Sequence, residues 1–403
     1  MSQYISHATK HLRALIEKFD TDIDGQKKAL RQLEHRKSEA QRQLNAFHDP
    51  ITQLPLEISS GIFLHCLPVY PGPNVLQAPL LLTNICSSWS RIALSTHELW
   101  ARINVDVEER RYRDLASLLD VWLSRAGTRP LSLVLNGSLD DNVIQVLKRH
   151  MWRVRELDTT FEDDEDDEDD DLHQLLDEEK PAIKVLRVQG CYPTSDVLSM
   201  LPFVPNVVDC AFENVTDAYG GRLPLQPVVI PSLQHLILGH NEKFLDCLTL
   251  SSLQSLALAI DLPTPTVMAN FLKRSSPPLQ KLTLGCAWEE NMEEVFSHLH
   301  SLTHLELVGQ GDHLRLVLAT LADSPQLLPN LSDLSLNNIR NPKNRGSWHS
   351  SLLAMLVAHC TKINIVHITL NRDEVAAAQE MFAEMEALLG GSGMNIYLTT
   401  LEK

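Results

Sequence analysis

One short pattern recurs often enough to limit what this chain can fold into. The form LxxLxL, with other apolar residues standing in for leucine, appears at Ile183-Leu186-Val188, Val207-Cys210-Phe212, Leu233-Leu236-Leu238, Leu253-Leu256-Leu258, Leu279-Leu282-Leu284, Leu302-Leu305-Leu307 and Leu331-Leu334-Leu336. The first positions lie 24, 26, 20, 26, 23 and 29 residues apart. A period of this size marks a supersecondary unit that cannot bury its apolar face alone and must stack on its neighbours. Within each unit the last two apolar positions alternate, so one short strand presents both to the same side. Earlier units stand at Leu131-Leu133-Leu135 and Val154-Leu157, and a later one at Ile363-Val366-Ile368. Between them, amphipathic segments such as VMANFLKRS, MEEVFSHL and LLAMLVAHC read as helices.

The spacing falls at or near the leucine-rich-repeat range. The expected class is therefore α + α/β solenoid: a coiled-coil-like amino-terminal helix, a small three-helix module and an irregular leucine-rich-repeat domain over 127–403. The repeats are irregular because the ninth position, usually Asn or Cys, is Cys191, Val215, Asn241, Asp261, Ala287, Gln310 and Ile339. Positions between the strand leucines point outward. They assign Arg187, Asp209, His235, Lys281, His304, Glu306 and Asp333 to a candidate substrate surface, with a plain solvated face as the alternative. A helix starting at Asp373, a GGSG turn at 390–393 and the alternating MNIYLTTLEK are expected to cap the last unit.

The net charge of -17 is concentrated: EDDEDDEDDD at 162–171 supplies ten of the negatives and leaves -7 for the rest. Ten adjacent carboxylates repel one another, so the run is expected as a solvated loop between two units, either inert or a dock for a basic partner. The modest remaining balance lacks the basic surface that nucleic acid requires. No apolar run is long enough to span a membrane and the amino terminus is charged, which leads us to expect an intracellular protein, cytoplasmic or nuclear. Seven dispersed cysteines without a CxxC pair argue against a disulfide framework or a zinc knuckle. His298, His300 and His304 lack a second ligand set, and no nucleophile elbow or phosphate loop is present. No catalysis, metal or cofactor is therefore expected.

From Ile5 to Phe47 apolar residues follow spacings of three and four. Ile16, Ile23, Leu30 and Leu44 take heptad position a, and Leu12, Phe19, Leu33 and Phe47 take position d; Gln26 and Lys37 interrupt the seam. Residues 1–48 are thus a coiled coil, as a homodimer or a hairpin, or an amphipathic helix lying on the next domain. DTDIDG at 20–25 begins like a calcium loop, but Arg31 stands where the bidentate Glu is required. Asp49-Pro50 ends the helix.

The next block carries the most specific pattern. Leu54-Pro55, Glu57, Ile58, Ile62, Phe63 and Leu67 are followed by Ile85-Cys86, Trp89, Leu99 and Trp100. This resembles the F-box, and the match covers residues 50–102, within a module bounded at 49–102. A linking helix over 103–126, ending VWLSRAGTRPLSLVL, is similar to the join between F-box and repeats in fungal-type members. The resemblance implies the substrate-receptor subunit of an adaptor, cullin and F-box ubiquitin ligase. Its partners would be a Skp-type adaptor, a cullin scaffold and a protein target of unknown identity. It assigns adaptor contact to Leu54, Pro55, Ile58, Ile62, Phe63 and Leu67, with Ile85 and Trp89 shared between contact and core. Two alternatives stand beside this: these residues pack on the chain's own first helix, or the chain is a repeat scaffold without a ligase role.

Overall fold

A computed structural model describes residues 2–47, 49–107, 114–160, 171–176, 182–216, 224, 226–239, 244–258, 263–286, 292–340, 347–370, 383–385, 387–389, 391 and 393–400. The acidic run, apart from Asp171, and the segment expected to begin a closing helix at Asp373 lie outside the described residues. The chain divides into two compact units, Met1–Asn104 with Trp122–Arg129, and Val105–Val121 with Pro130–Lys403.

The first unit is helical. Helix α1 (Ser2–Phe47) runs through the whole heptad region, including 20–25, and its side chains from Lys18 to Gln41 are exposed. Asp49 then caps a short turn at Pro50–Gln53, accepting from the Ile51 amide at 3.0 Å. Helices α2 (Leu56–His65), α3 (Leu80–Ile85) and α4 (Ser87–Ser95) follow. Their core is Phe63, Leu82, Cys86, Ile92, Ala93, Leu99 and Trp100, all buried. Trp100 donates its indole N–H to the Ala93 carbonyl at 2.9 Å and meets Trp122 edge-on at 5.0 Å. Arg125 lies 4.5 Å above the Trp100 ring, and burial holds its guanidinium below the usual arginine range.

The second unit is built on strands. These are β1 (Arg102–Asp106), β2 (Leu131–Asn136), β3 (Val154–Thr160), β4 (Val185–Pro193), β5 (Asp209–Thr216), β6 (Val228–Val229), β7 (His235–Leu238), β8 (Leu248–Thr249), β9 (Ser255–Leu258), β10 (Lys281–Cys286), β11 (His304–Gln310), β12 (Asp333–Arg340), β13 (Ile365–Leu370) and β14 (Asn395–Thr400). Twelve form one sheet in the order β1-β2-β3-β4-β5-β7-β9-β10-β11-β12-β13-β14, while β6 and β8 pair separately. Pairings from β2 to β14 are parallel. Between strands run α6 (Asp141–Lys148), α7 (Asp171–Leu176), α8 (Thr194–Met200), α9 (Pro265–Ser275), α10 (Glu293–Ser297), α11 (Gly311–Asp323) and α12 (Ser347–Ala358); α5 (Leu115–Arg125) and β1 contribute residues to both units.

This architecture corrects the expected class. The finding is one large parallel sheet with helices, an α/β fold, and not a helical module followed by a leucine-rich solenoid. The reason lies in the register. Leu186, Cys210, Leu236, Leu256, Leu282, Leu305, Leu334 and Val366 sit directly beside one another across successive strands, as do Val188, Phe212, Leu238, Leu258, Leu284, Leu307, Leu336 and Ile368. All are buried, each worth about 1.5–3 kcal/mol of gross burial. Strands aligned on two such lanes join edge to edge. The longer intervals hold crossover helices of the kind parallel strands require, with Met268, Phe271 and Leu272 of α9 and Leu314, Leu318 and Leu321 of α11 buried.

A Cβ on Gly239 would stand 1.9 Å from the Glu213 carbonyl oxygen, where the Gly239 amide donates to Phe212 O at 2.8 Å. Backbone on both sides cannot swing away, so Gly239→Ala is expected to cost about 1–3 kcal/mol, read as a lower urea midpoint. An unchanged midpoint would mean that the approach relaxes freely.

His359 is fully buried just past α12, its Nε2 3.0 Å from the Leu321 carbonyl and its Nδ1 without a partner among the described residues. Burial lowers its pKa below 6.5, Lys362 adds to the effect, and the Leu321 carbonyl opposes it. The folded state thus binds this proton less readily than the unfolded state. The stability it supports is complete above about 6.5 and declines as pH falls from there toward the folded value. His150 shifts the same way, mainly through burial. His359→Gln is expected to shrink the difference between urea midpoints at pH 7.5 and 5.5, leaving the part due to His150. An unaltered difference would contradict this.

Candidate functional site

In the first unit, hydrogen bonds fix which side of α2 faces out. Ser59 Oγ donates to the carbonyls of Ile51 at 3.1 Å and Pro55 at 3.2 Å, joining the preceding turn to the helix. Ser60 and Thr96 share a hydrogen bond of 2.9 Å. Ser59 and Phe63, four residues apart, therefore point inward, and Ile58 and Ile62, also four apart, share an adjacent, exposed side.

The expected adaptor-contact residues accordingly separate. Leu54, Pro55, Ile58 and Ile62 are exposed, with Ile58 at 53%. Leu67, Ile85 and Trp89 are half-buried. Phe63 has 0% exposure, its ring 4.9 Å from that of Trp89, so its assignment to direct contact is corrected: it is core. The Trp89 indole N–H donates to the Asp49 carboxylate, tying the turn after α1 to α4. Ile58 and Ile62, which the other alternative would pack on the first helix, are 53% and 38% exposed. The unit also exposes Leu56, Leu64, Leu81 and Leu94, and Val69, Tyr70, Val75 and Leu76 in the loop between α2 and α3. The pattern overlooked these loop residues because they follow no period; a cluster of large apolar residues around Pro71-Gly72-Pro73 was the available cue. Of the cysteines, Cys86, Cys210 and Cys247 are buried, whereas Cys66 is exposed.

In the second unit, the outward positions fall into two lanes. One contains Glu156, Val185, Asp209, His235, Ser255, Lys281, His304, Asp333, Ile365 and Asn395 in direct register. The other contains Asp158, Arg187, Ala211, Ile237, Ala257, Thr283, Glu306, Ser335, His367 and Tyr397. Asp209, His235, Lys281, His304 and Asp333 thus share one lane, and Arg187 and Glu306 the adjacent one.

Glu306 is the best-connected member. Its carboxylate accepts from Thr283 Oγ1 at 3.0 Å and Asn337 Nδ2 at 2.6 Å, with Lys281 Nζ 3.6 Å away. His304 Nε2 lies 3.5 Å from Asp333 Oδ2, an ion pair only when the imidazole is protonated. At the other end, burial raises the pKa of Asp158, with Arg187 opposing and Glu213 reinforcing the shift. His367 and Tyr397 stack at 4.8 Å. Reading alternation only through the seven main units missed Asp158, His367 and Tyr397. His367 and Tyr397 stand between apolar strand residues and Asp158 between Leu157 and the buried Thr159, so the same alternation points to them.

Chemically this face can exchange hydrogen bonds and charge with a protein surface; the Thr303 hydroxyl also lies 2.7 Å from His304 Nδ1, on the side of the ring away from Asp333. Among the described residues no group of three or more His, Cys, Asp or Glu could hold a metal ion, and no helix is long and apolar enough to cross a membrane. No protein-family model matches the chain, and no curated protein matches it in sequence.

Proposed function

We propose that this chain is the substrate-receptor subunit of an adaptor, cullin and F-box ubiquitin ligase, working in the cytoplasm or nucleus. The observation that carries the reading is the apolar patch at the start of α2, where Leu54 and Pro55 before the helix and Ile58 and Ile62 on it stand exposed beside a packed Phe63–Trp89 core. Exposed aliphatic anchors on a rigid short helix suit a groove on a partner, because a few such side chains usually dominate an interface. The partner is the Skp-type adaptor, which links the receptor to the cullin scaffold. The receptor performs no chemistry. It holds a target so that ubiquitin transfer becomes a local encounter. Target binding is assigned to the two polar lanes, centred on Lys281, His304, Glu306 and Asp333. Their mixed charges and uncovered face fit recognition of a protein surface of alternating charge.

Co-expression with the adaptor tests the reading. A stable complex that purifies together and recruits the cullin is expected. A chain that stays apart from the adaptor would favour a scaffold role without ligase activity.

A further inference from the structure

Among the described residues, nothing in the chain covers the apolar stripe on α1 from Phe19 to Leu44. Phe19, Ile23, Leu30, Leu33 and Leu44 are 46–62% exposed along one helix, with Gln26 and Lys37 in the same seam. A lone helix gains little stability without a packed face. We propose that α1 pairs with α1 of a second copy of this chain as an antiparallel coiled coil, in the register that places residue n opposite residue 63 minus n. The inference is independent of the adaptor reading.

Three observations select this arrangement over its rivals. First, the register aligns Phe19 with Leu44, Ile23 with Ala40 and Leu30 with Leu33 of the other copy, so large side chains meet apolar partners in every layer except two related by symmetry. Those two match Gln26 with Lys37, and the amide oxygen can accept from the ammonium. A polar pair inside an apolar seam sets register, since any slip leaves both groups unmatched. A parallel pair instead places Lys37 on Lys37.

Second, positions e and g flank an antiparallel seam as e with e and g with g. Lys27 then faces Glu34 of the other copy, twice by symmetry. Asp20 faces Gln41, Asp22 faces Gln43 and Ala29 faces Arg36, with no like-charge pair. Lys27 now contacts Asp24 at 3.7 Å, both highly exposed, a weak pairing that leaves the ammonium able to turn.

Third, sliding one heptad in either direction fails. One direction places Lys27 on Lys27 and Asp20 on Glu34; the other places Glu34 on Glu34. Both slips also set Lys37 against an apolar residue, Phe19 or Leu33. The 26 residues from Phe19 to Leu44 give a contact of about 39 Å, at 1.5 Å per residue.

Sedimentation of the full chain at 1–50 μM, with single and paired charge variants, decides the matter. Wild type is expected as a dimer. Lys27→Glu should weaken dimerisation at least about tenfold by setting Glu against Glu34 in two places, and the double variant Lys27→Glu with Glu34→Lys should restore it. Mixing Gln26→Cys and Lys37→Cys proteins under mild oxidation should yield a 26–37 disulfide by peptide mapping, with neither 26–26 nor 37–37. A monomeric wild type, failure of the double variant to recover, or a 26–26 or 37–37 link would overturn the proposal.

Discussion

Replacing Ile58 and Ile62 together by Asp is expected to lower adaptor affinity by more than about 100-fold while leaving the fold intact. Each side chain, once covered by the adaptor, contributes about 1.5–3 kcal/mol of burial. The charges would add the cost of placing unpaired carboxylates in an apolar contact. Two such losses exceed the 2.8 kcal/mol or so that corresponds to a factor of 100. Both positions are exposed in the free chain, so the thermal midpoint should move little. Titration calorimetry against purified adaptor, with a melting curve on the same sample, provides the measurement. Unchanged affinity would remove α2 as the docking helix.

Phe63→Ala should behave in the opposite way. The ring is fully buried against Trp89, and truncating a buried Phe costs about 3–5 kcal/mol. A helical unit of this size has little stability to spare, so the urea midpoint should fall sharply. Adaptor binding would then fail because the unit opens. Phe63→Leu separates the two effects: a smaller loss of stability, with docking retained through Ile58 and Ile62. An unfolding free energy within about 1 kcal/mol of wild type for Phe63→Ala would show that the ring is replaceable.

The contrast between Ile62 and Phe63 shows what could be read before folding was known. Their adjacency and their place after Leu54-Pro55 are visible in the sequence. Which of two neighbouring apolar residues faces solvent is not, because it depends on where Ser59 finds its acceptors and where Trp89 arrives from another helix. A similar limit applies to the outward positions. Alternation identifies Lys281, His304, Glu306 and Asp333, since strand side chains change faces at each residue. It does not reveal that Glu306 gathers Thr283 from β10 and Asn337 from β12, which needs the register between strands.

Residue order alone determined the positions of β4, β5, β7, β9, β10, β11 and β12, the long helix α1 with Gln26 and Lys37 in its seam, and the apolar helix after Pro55. These follow from local periodicity, which requires no knowledge of distant contacts. Tertiary structure alone decided that twelve strands join one parallel sheet, that Phe63 belongs to a core and Ile58 to a surface, and that Gly239 must lack a side chain. Each of those depends on which backbone comes to lie beside which, and hydrogen bonding and burial settle that only when the whole chain has folded.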